Sequence, residues 1–379
     1  MSRAQSTRAV ALASIGSGSV SVGIARCEGT SVSIVAVDHR ALPLEERGPQ
    51  RGAALIKQEV AEAGKRVLAQ FSTTSKTGKI DALYCIIRAP WTHTETVHAE
   101  MSYPTEEHMT ANIISGLAQK ALSSVSDRSQ FFDASVTQIA LNGYRTKNPE
   151  GKRAHHAEVS VLISMCEPAM RSAAQEALAA VFPAHKPVMR SGTRASLEAL
   201  ELIRPDLLDC LVLDIGEEGT AAVVVRQGAA DKELFIPEGI RSILGGVSTA
   251  GSPEEGRQAL RMMARDECSQ ATCVSMQSAL AKMEPDLAHA FGESFAKIST
   301  PRRLPAALVL ITHPDLAPWL SRFFARIDFT QFTLTAQPFE VTILAPSDLV
   351  KLLPGSALND PDVDLVLGFA LINKESCAG

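Results

Sequence analysis

One short pattern occurs twice in the chain, 200 positions apart, and each copy joins two apolar strands through a turn of small or polar residues. The first copy reads SIGSGSVSVGIAR over residues 14–26, and the second reads DIGEEGTAAVVVR over residues 214–226. A turn of this kind can direct several backbone N–H groups at one anion. The repeat therefore predicts two related lobes that hold a phosphate chain between them.

The turn residues of both copies are the candidate contacts for this phosphate chain. They are Ser14, Gly16, Ser17, Gly18, Ser19, Asp214, Gly216, Glu217, Gly219 and Thr220. Asp214 is the candidate ligand for a metal ion, and Ser14 stands in its place in the first copy. Other interpretations stay open at this stage, because a G-x-G turn is common in hairpins and turn carboxylates usually face solvent.

Length and composition limit the class of protein. With 379 residues the chain exceeds one ordinary core, so two or more domains are expected. The net charge of -5 argues against a general nucleic-acid binder, and no run of about 18 apolar residues predicts a membrane span. The seven cysteines are scattered, which favours reduced, buried thiols in a cytoplasmic protein over a disulfide framework. Cys268 and Cys273 are too far apart for a C-x-x-C zinc site.

The order of the predicted elements is typical of an α/β protein. Three strands, a helix and a buried strand fill residues 10–87, and the three-strand pattern returns after residue 208. Residues 91–182 read as a β-α-β-β-α unit, in which Pro104-Thr105-Glu106-Glu107 predicts a helix start. The predicted boundaries are the first lobe at 1–90, an insertion at 91–182, a return to the first lobe at 183–207, the second lobe at 208–247, a helical subdomain at 248–302, more of the second lobe at 303–348, and closing helices at 349–379.

In this order of elements the chain resembles the bacterial branch of the actin-like ATPase superfamily that contains FtsA and PilM. The resemblance covers most of the chain and rests on SIGSGSVSV at 14–22, on the insertion at 91–182, on LVLDIGEEGT at 211–220 with FIPEGIRSILGGV at 235–247, and on DLVLGFAL at 364–371. It implies a two-lobed, duplicated ribonuclease H-like fold with an α+β insertion in the first lobe and a small helical subdomain in the second. The absence of a basic amphipathic tail places the chain closer to PilM.

The resemblance also implies a cleft for ATP with Mg²⁺, and three departures put that ligand in doubt. The family has an aspartate where this chain has Ser14, and small residues where it has Glu217 and Glu218. Gly245 and Gly246 match the family's passage after the second loop, but Thr312 stands where the adenine side normally has glycines. A hydroxyl brings no charge to Mg²⁺, and added carboxylates repel a triphosphate. We therefore expect weak ATP binding or none, and slow or absent hydrolysis.

Three functions follow from the resemblance. The first is a cytoplasmic scaffold, PilM-like, that docks to inner-membrane parts of a type IV pilus or type II secretion machine by holding a membrane-protein peptide on residues 91–182. The second is an FtsA-like cell-division protein that binds ATP and polymerises, and the third is a small-molecule kinase. The chain is expected to lie in the cytoplasm or at the inner membrane through its partner. Direct membrane insertion is not expected, and self-association into a homo-oligomer stays open.

Overall fold

The computed structural model describes residues 7–29, 31–43, 49–74, 79–125, 128–247, 253–265, 267–353 and 362–377. The first lobe is built on a five-stranded sheet of order β3-β2-β1-β4-β9. Its strands are β1 (Arg8–Ile15), β2 (Ser19–Glu28), β3 (Ser31–Ala41), β4 (Ala82–Ile87) and β9 (Val188–Ser191). β1 runs antiparallel to β2 and parallel to β4, so the carboxyl ends of β1 and β4 meet at one edge of the sheet.

The second lobe repeats this sheet in the order β12-β11-β10-β13-β14. Its strands are β10 (Cys210–Ile215), β11 (Thr220–Arg226), β12 (Ala229–Ile236), β13 (Ala307–Ile311) and β14 (Glu340–Ile343). The register repeats as well, because Ser14 pairs with Ser21 in the first sheet and Asp214 pairs with Ala221 in the second. The duplicated strand-turn-strand unit predicted from the sequence is confirmed.

The helices cover the faces of these sheets, and α10 is the most deeply buried of them. They are α1 (Pro49–Thr74), α3 (Pro168–Val181), α4 (Gly192–Ile203), α5 (Ile240–Val247), α6 (Pro253–Ala264), α7 (Gln270–Ile298), α8 (Ala317–Arg326), α9 (Pro346–Val350) and α10 (Val363–Ile372). One core joins apolar residues of both sheets with α4 and α10, so the two lobes share α10 as a common support. At Gly368 a Cβ would lie 2.5 Å from Leu12 Cδ2, and this close approach explains the glycine.

A third sheet forms the insertion, with the order β5-β8-β6-β7. Its elements are β5 (Thr92–His108), α2 (Ala111–Ser123), β6 (Phe131–Leu141), β7 (Tyr144–Arg145) and β8 (Arg153–Cys166). α2 packs on one face of this sheet in a core of its own. The last helix of the predicted insertion, α3, instead packs with α1 in a core of the first lobe.

Two local predictions are wrong. The predicted helix start at 104–107 lies inside β5, which pairs with β8 as far as His108 after a bulge. The helix begins at Ala111, where the Thr110 hydroxyl accepts a hydrogen bond from the Ile113 N–H at 3.3 Å. Cys268 and Cys273, expected to be reduced, form a disulfide with Cα atoms 5.8 Å apart.

Three other cysteines agree with the expectation of buried thiols. Cys85, Cys166 and Cys210 are buried free thiols. Among the described residues, no helix is both long enough and apolar enough to cross a membrane.

Candidate functional site

The candidate site is a cleft between the lobes, where four loops face one another. In the first lobe the loops follow the parallel strands β1 and β4 and begin at Gly16 and Arg88. In the second lobe they follow the parallel strands β10 and β13 and begin at Gly216 and Thr312. They enclose a cavity of about 260 Å³. Ligands of α/β proteins commonly bind beyond the carboxyl ends of such strands.

Nine of the thirteen residues predicted from the sequence line this cavity. They are Gly16, Ser17, Gly18, Ser19, Asp214, Gly216, Glu217, Gly219 and Thr312. The other four lie outside it. Ser14 is buried within β1, Thr220 donates a hydrogen bond to the Glu238 carbonyl at 2.6 Å, and Gly245 and Gly246 belong to α5.

The two predicted phosphate turns touch each other directly. The Glu218 N–H donates a hydrogen bond to Ser17 Oγ at 3.1 Å. A Cβ on Gly18 would lie 2.8 Å from Glu217 Oε2, and one on Gly216 would lie 3.2 Å from Ser17 Oγ. The two turns are therefore packed directly against each other.

Arg88 is the residue of the cleft that sequence reasoning missed. Its side chain is 5% exposed, and it forms ion pairs with Asp214 and, at 3.3 Å between Nε and Oδ1, with Asp364. Burial alone would lower the pKa of Arg88, but the two carboxylates raise it above its ordinary value. The guanidinium therefore stays charged and binds the carboxylate that the sequence marks as the metal ligand.

The carboxylates at the start of α10 complete this side of the cleft. Burial raises the pKa of Asp364 to about 7, and Arg88 opposes that effect. Asp362 caps α10 by accepting a hydrogen bond from the Asp364 N–H at 3.0 Å. Burial would raise the pKa of Asp362 too, but hydrogen bonds from His39 and Ser21 lower it below its ordinary value.

Ser21, His39 and Asp362 are not arranged as a catalytic triad. Both Ser21 Oγ and Asp362 Oδ2 contact the same ring nitrogen, His39 Nδ1, at 2.8 and 3.2 Å. In a triad the serine and the acid contact opposite nitrogens of the histidine, so that one can lose a proton while the other orients the ring. The three residues therefore give no support to hydrolysis by a serine nucleophile.

Arginines of α6 neutralise the carboxylates on the second-lobe side. Arg257 pairs with Glu217 at 2.7 Å, and Arg261 pairs with Asp315 at 3.0 Å. Glu217 is 5% exposed, so the solvent-facing orientation left open above is wrong for this residue. Among the described residues, no group of three or more histidine, cysteine, aspartate or glutamate side chains is placed to hold a metal ion.

Solved structures of other proteins are similar to this chain over most of its length. A chain of the solved PilM-PilN type IV pilus biogenesis complex superposes with a TM-score of 0.58 at 14% identity, over 97% of this chain and 99% of that chain. The ethanolamine utilization protein EutJ from Carboxydothermus hydrogenoformans gives a TM-score of 0.46 at 12% identity, over 97% and 91% of the two chains. No protein-family profile matches the chain, and no curated protein matches it. The predicted actin-like fold is confirmed.

Proposed function

We propose that this chain is a PilM-type assembly scaffold that works without ATP turnover. In this role an actin-like protein lies on the cytoplasmic side of a type IV pilus or type II secretion machine and binds an inner-membrane component. The fold of a PilM-PilN chain, matched over almost all of both chains, supports the assembly role. The observation that carries the scaffold function is the buried ion pair between Arg88 and Asp214.

The residues of the cleft do not fit ATP with Mg²⁺. Arg88 already neutralises Asp214, and Ser14 supplies no charge on the other side. A Mg²⁺ ion bound to Asp214 would lie beside the Arg88 guanidinium, and the two positive charges would repel each other. These residues therefore support a structural role for the cleft rather than catalysis.

The insertion offers the surface for the membrane partner. β5 and β7 are the edge strands of its sheet, and β6 and β7 carry Val136 and Tyr144, whose exposed fractions are 43% and 80%. An extended peptide can add to such an edge, with backbone hydrogen bonds giving affinity and side-chain pockets giving specificity. A cytoplasmic peptide of a membrane protein fits this mode of binding.

Affinity purification from cross-linked cells of the source organism tests the proposal. The tagged full-length chain should enrich one inner-membrane protein of a pilus or secretion machine, identified by mass spectrometry. The double variant Val136→Arg and Tyr144→Arg should lose most of that enrichment, whereas Val274→Arg, on α7 at a side chain that is 58% exposed, should keep it. Enrichment of cell-division proteins, or of no membrane protein, contradicts the scaffold role.

A further inference from the structure

A second cavity, of about 370 Å³, lies between the insertion and the second lobe. It is bordered by residues 93–96 of β5, by residues 230–234 of β12, and by Lys297 and Ile298 at the end of α7. None of these residues lines the cleft between the lobes. We call this cavity the β5–β12 groove. It is separate from the cleft between the lobes, and the proposed scaffold function does not assign a role to it.

Two strand edges meet at the β5–β12 groove. β5 pairs with β8 and β12 pairs with β11, and within the described part of the chain neither strand pairs along its other edge. The strands contact each other through side chains, since Thr96 Oγ1 donates a hydrogen bond to the Ala230 carbonyl at 2.7 Å. An edge strand beside a cavity is a ready template for an added strand.

Glu233 gives the β5–β12 groove its chemical preference. Its carboxylate accepts hydrogen bonds from the hydroxyl groups of Thr94 in the insertion and, at 3.1 Å, of Thr193 in α4. Neither lysine of the groove pairs with it, because Lys232 donates to the Thr300 carbonyl and the ion pairs of the described residues include none between Lys297 and Glu233. Burial raises the pKa of Glu233 to about 7, as expected for a carboxylate without a cation.

A buried carboxylate without a cation is costly, and a positive charge supplied from outside would offset that cost. Glu233 accepts hydrogen bonds from Thr94 of the insertion and Thr193 of the first lobe, and the groove beside it is lined by the insertion and the second lobe, so a ligand on Glu233 would lie between those two parts. The site can therefore recognise two features of one ligand: an extended backbone that pairs with the β5 edge, and a basic side chain that pairs with Glu233.

We propose that the β5–β12 groove binds an extended peptide segment of a partner protein, which adds to the free edge of β5 and places one lysine or arginine side chain on Glu233. The assignment of the partner to an assembly machine rests on the proposed function, whereas the preference for a basic peptide rests on the groove alone. An acidic side chain placed on Glu233 is disfavoured, because two carboxylates at one position repel each other.

Two synthetic peptides test this proposal on the full-length protein. Both are nine residues long, carry a fluorophore and alternate valine with threonine, and they differ only in a central arginine or glutamine. The wild-type protein should bind the arginine peptide roughly tenfold more tightly, as expected for a charge pair in a partly buried site. In Glu233→Gln this preference should disappear, and in Glu150→Gln, an exposed insertion residue outside the groove, it should remain.

The proposal is overturned if neither peptide binds, if the two bind equally to the wild type, or if Glu233→Gln keeps the preference for arginine. These outcomes are distinct from failure of the scaffold role. If the wild type enriches a membrane protein of the machine but shows no preference for the arginine peptide, the groove assignment falls while the scaffold stands. If the arginine preference holds but no membrane protein is enriched, the groove stands and the scaffold falls.

Discussion

At the scale of single residues, Arg88 pairs with two carboxylates of the cleft, Asp214 and Asp364. A lone arginine after a strand looks in sequence like any solvated loop residue, so nothing marked it as important. Asp214 was found because its copy of the motif is repeated, but its ion-pair partner lies 126 positions earlier in the chain. Only the meeting of β4 with β10 across the cleft reveals the pair.

Removing the Arg88 charge should destabilise the protein strongly. In Arg88→Met, Asp214 and Asp364 lose their shared cation, and we expect the free energy of unfolding to fall by about 3–5 kcal/mol. Urea denaturation measures this change. The control Arg66→Met, at a side chain that is 64% exposed, should change stability by less than about 0.5 kcal/mol. A loss below about 1 kcal/mol for Arg88→Met would contradict the buried pair.

Glu233 should make stability depend on pH near neutrality. Its pKa is raised by burial from 4.5 to about 7, so the folded chain binds the proton more tightly than the unfolded chain does. This group therefore lowers stability as pH rises from about 4.5 to 7, and the full cost persists above that range. Glu233→Gln keeps a hydrogen-bond acceptor but cannot ionise, so it should melt above the wild type at pH 8 and not at pH 4.5.

Thermal unfolding at several pH values between these limits checks the expectation for Glu233. The exposed residue Glu150 provides the control, and Glu150→Gln should follow the wild-type curve at each pH. A difference between Glu233→Gln and wild type that stays constant over the whole range would show that the pKa of Glu233 is the same in the folded and the unfolded protein, and would contradict the expectation.

At the scale of elements, the two phosphate turns were predictable but their contact was not. The repeat places both turns at strand ends that face each other. The contact depends on Glu217 being held by Arg257, which lies on α6, 40 positions further along the chain. The same kind of limit explains the predicted helix start at 104–107, because pairing with β8 extends β5 through residues that favour a helix by themselves.

Gly18→Ala should force the two turns apart. The added Cβ would lie 2.8 Å from Glu217 Oε2 and 3.0 Å from Glu217 Cβ, and the carboxylate cannot move freely because Arg257 holds it. Overpacking of this kind costs about 1–3 kcal/mol in free energy of unfolding, measured by chemical denaturation. Gly116→Ala in α2 is the matched control, because its Cβ meets nothing within 4 Å and should stabilise by about 0.5–1 kcal/mol. A neutral or stabilising Gly18→Ala would contradict the direct contact of the turns.

At the scale of the whole molecule, the sequence repeat predicted two related lobes, and the order of the elements predicted an inserted unit at 91–182. The five-strand order that the two sheets share is a finding of the structure. Repetition, strand patterns and glycine turns are local properties, and all of them can be read along the chain. The ion pair of Arg88 and the β5–β12 groove form between segments that are distant in the sequence, so no local pattern predicts them. The Cys268–Cys273 disulfide was missed for another reason, since scattered cysteines are usually reduced thiols.

Calorimetric titration of the full-length protein with Mg-ATP tests most directly whether the cleft is unable to bind this nucleotide. Wild type should give no binding heat at ligand concentrations that reveal a dissociation constant of about 1 mM. The variant Arg88→Ala, which frees Asp214, should bind more tightly than wild type if it stays folded by circular dichroism. Binding by the wild type with a dissociation constant of about 1–10 μM would contradict a scaffold whose cleft is closed by its own arginine.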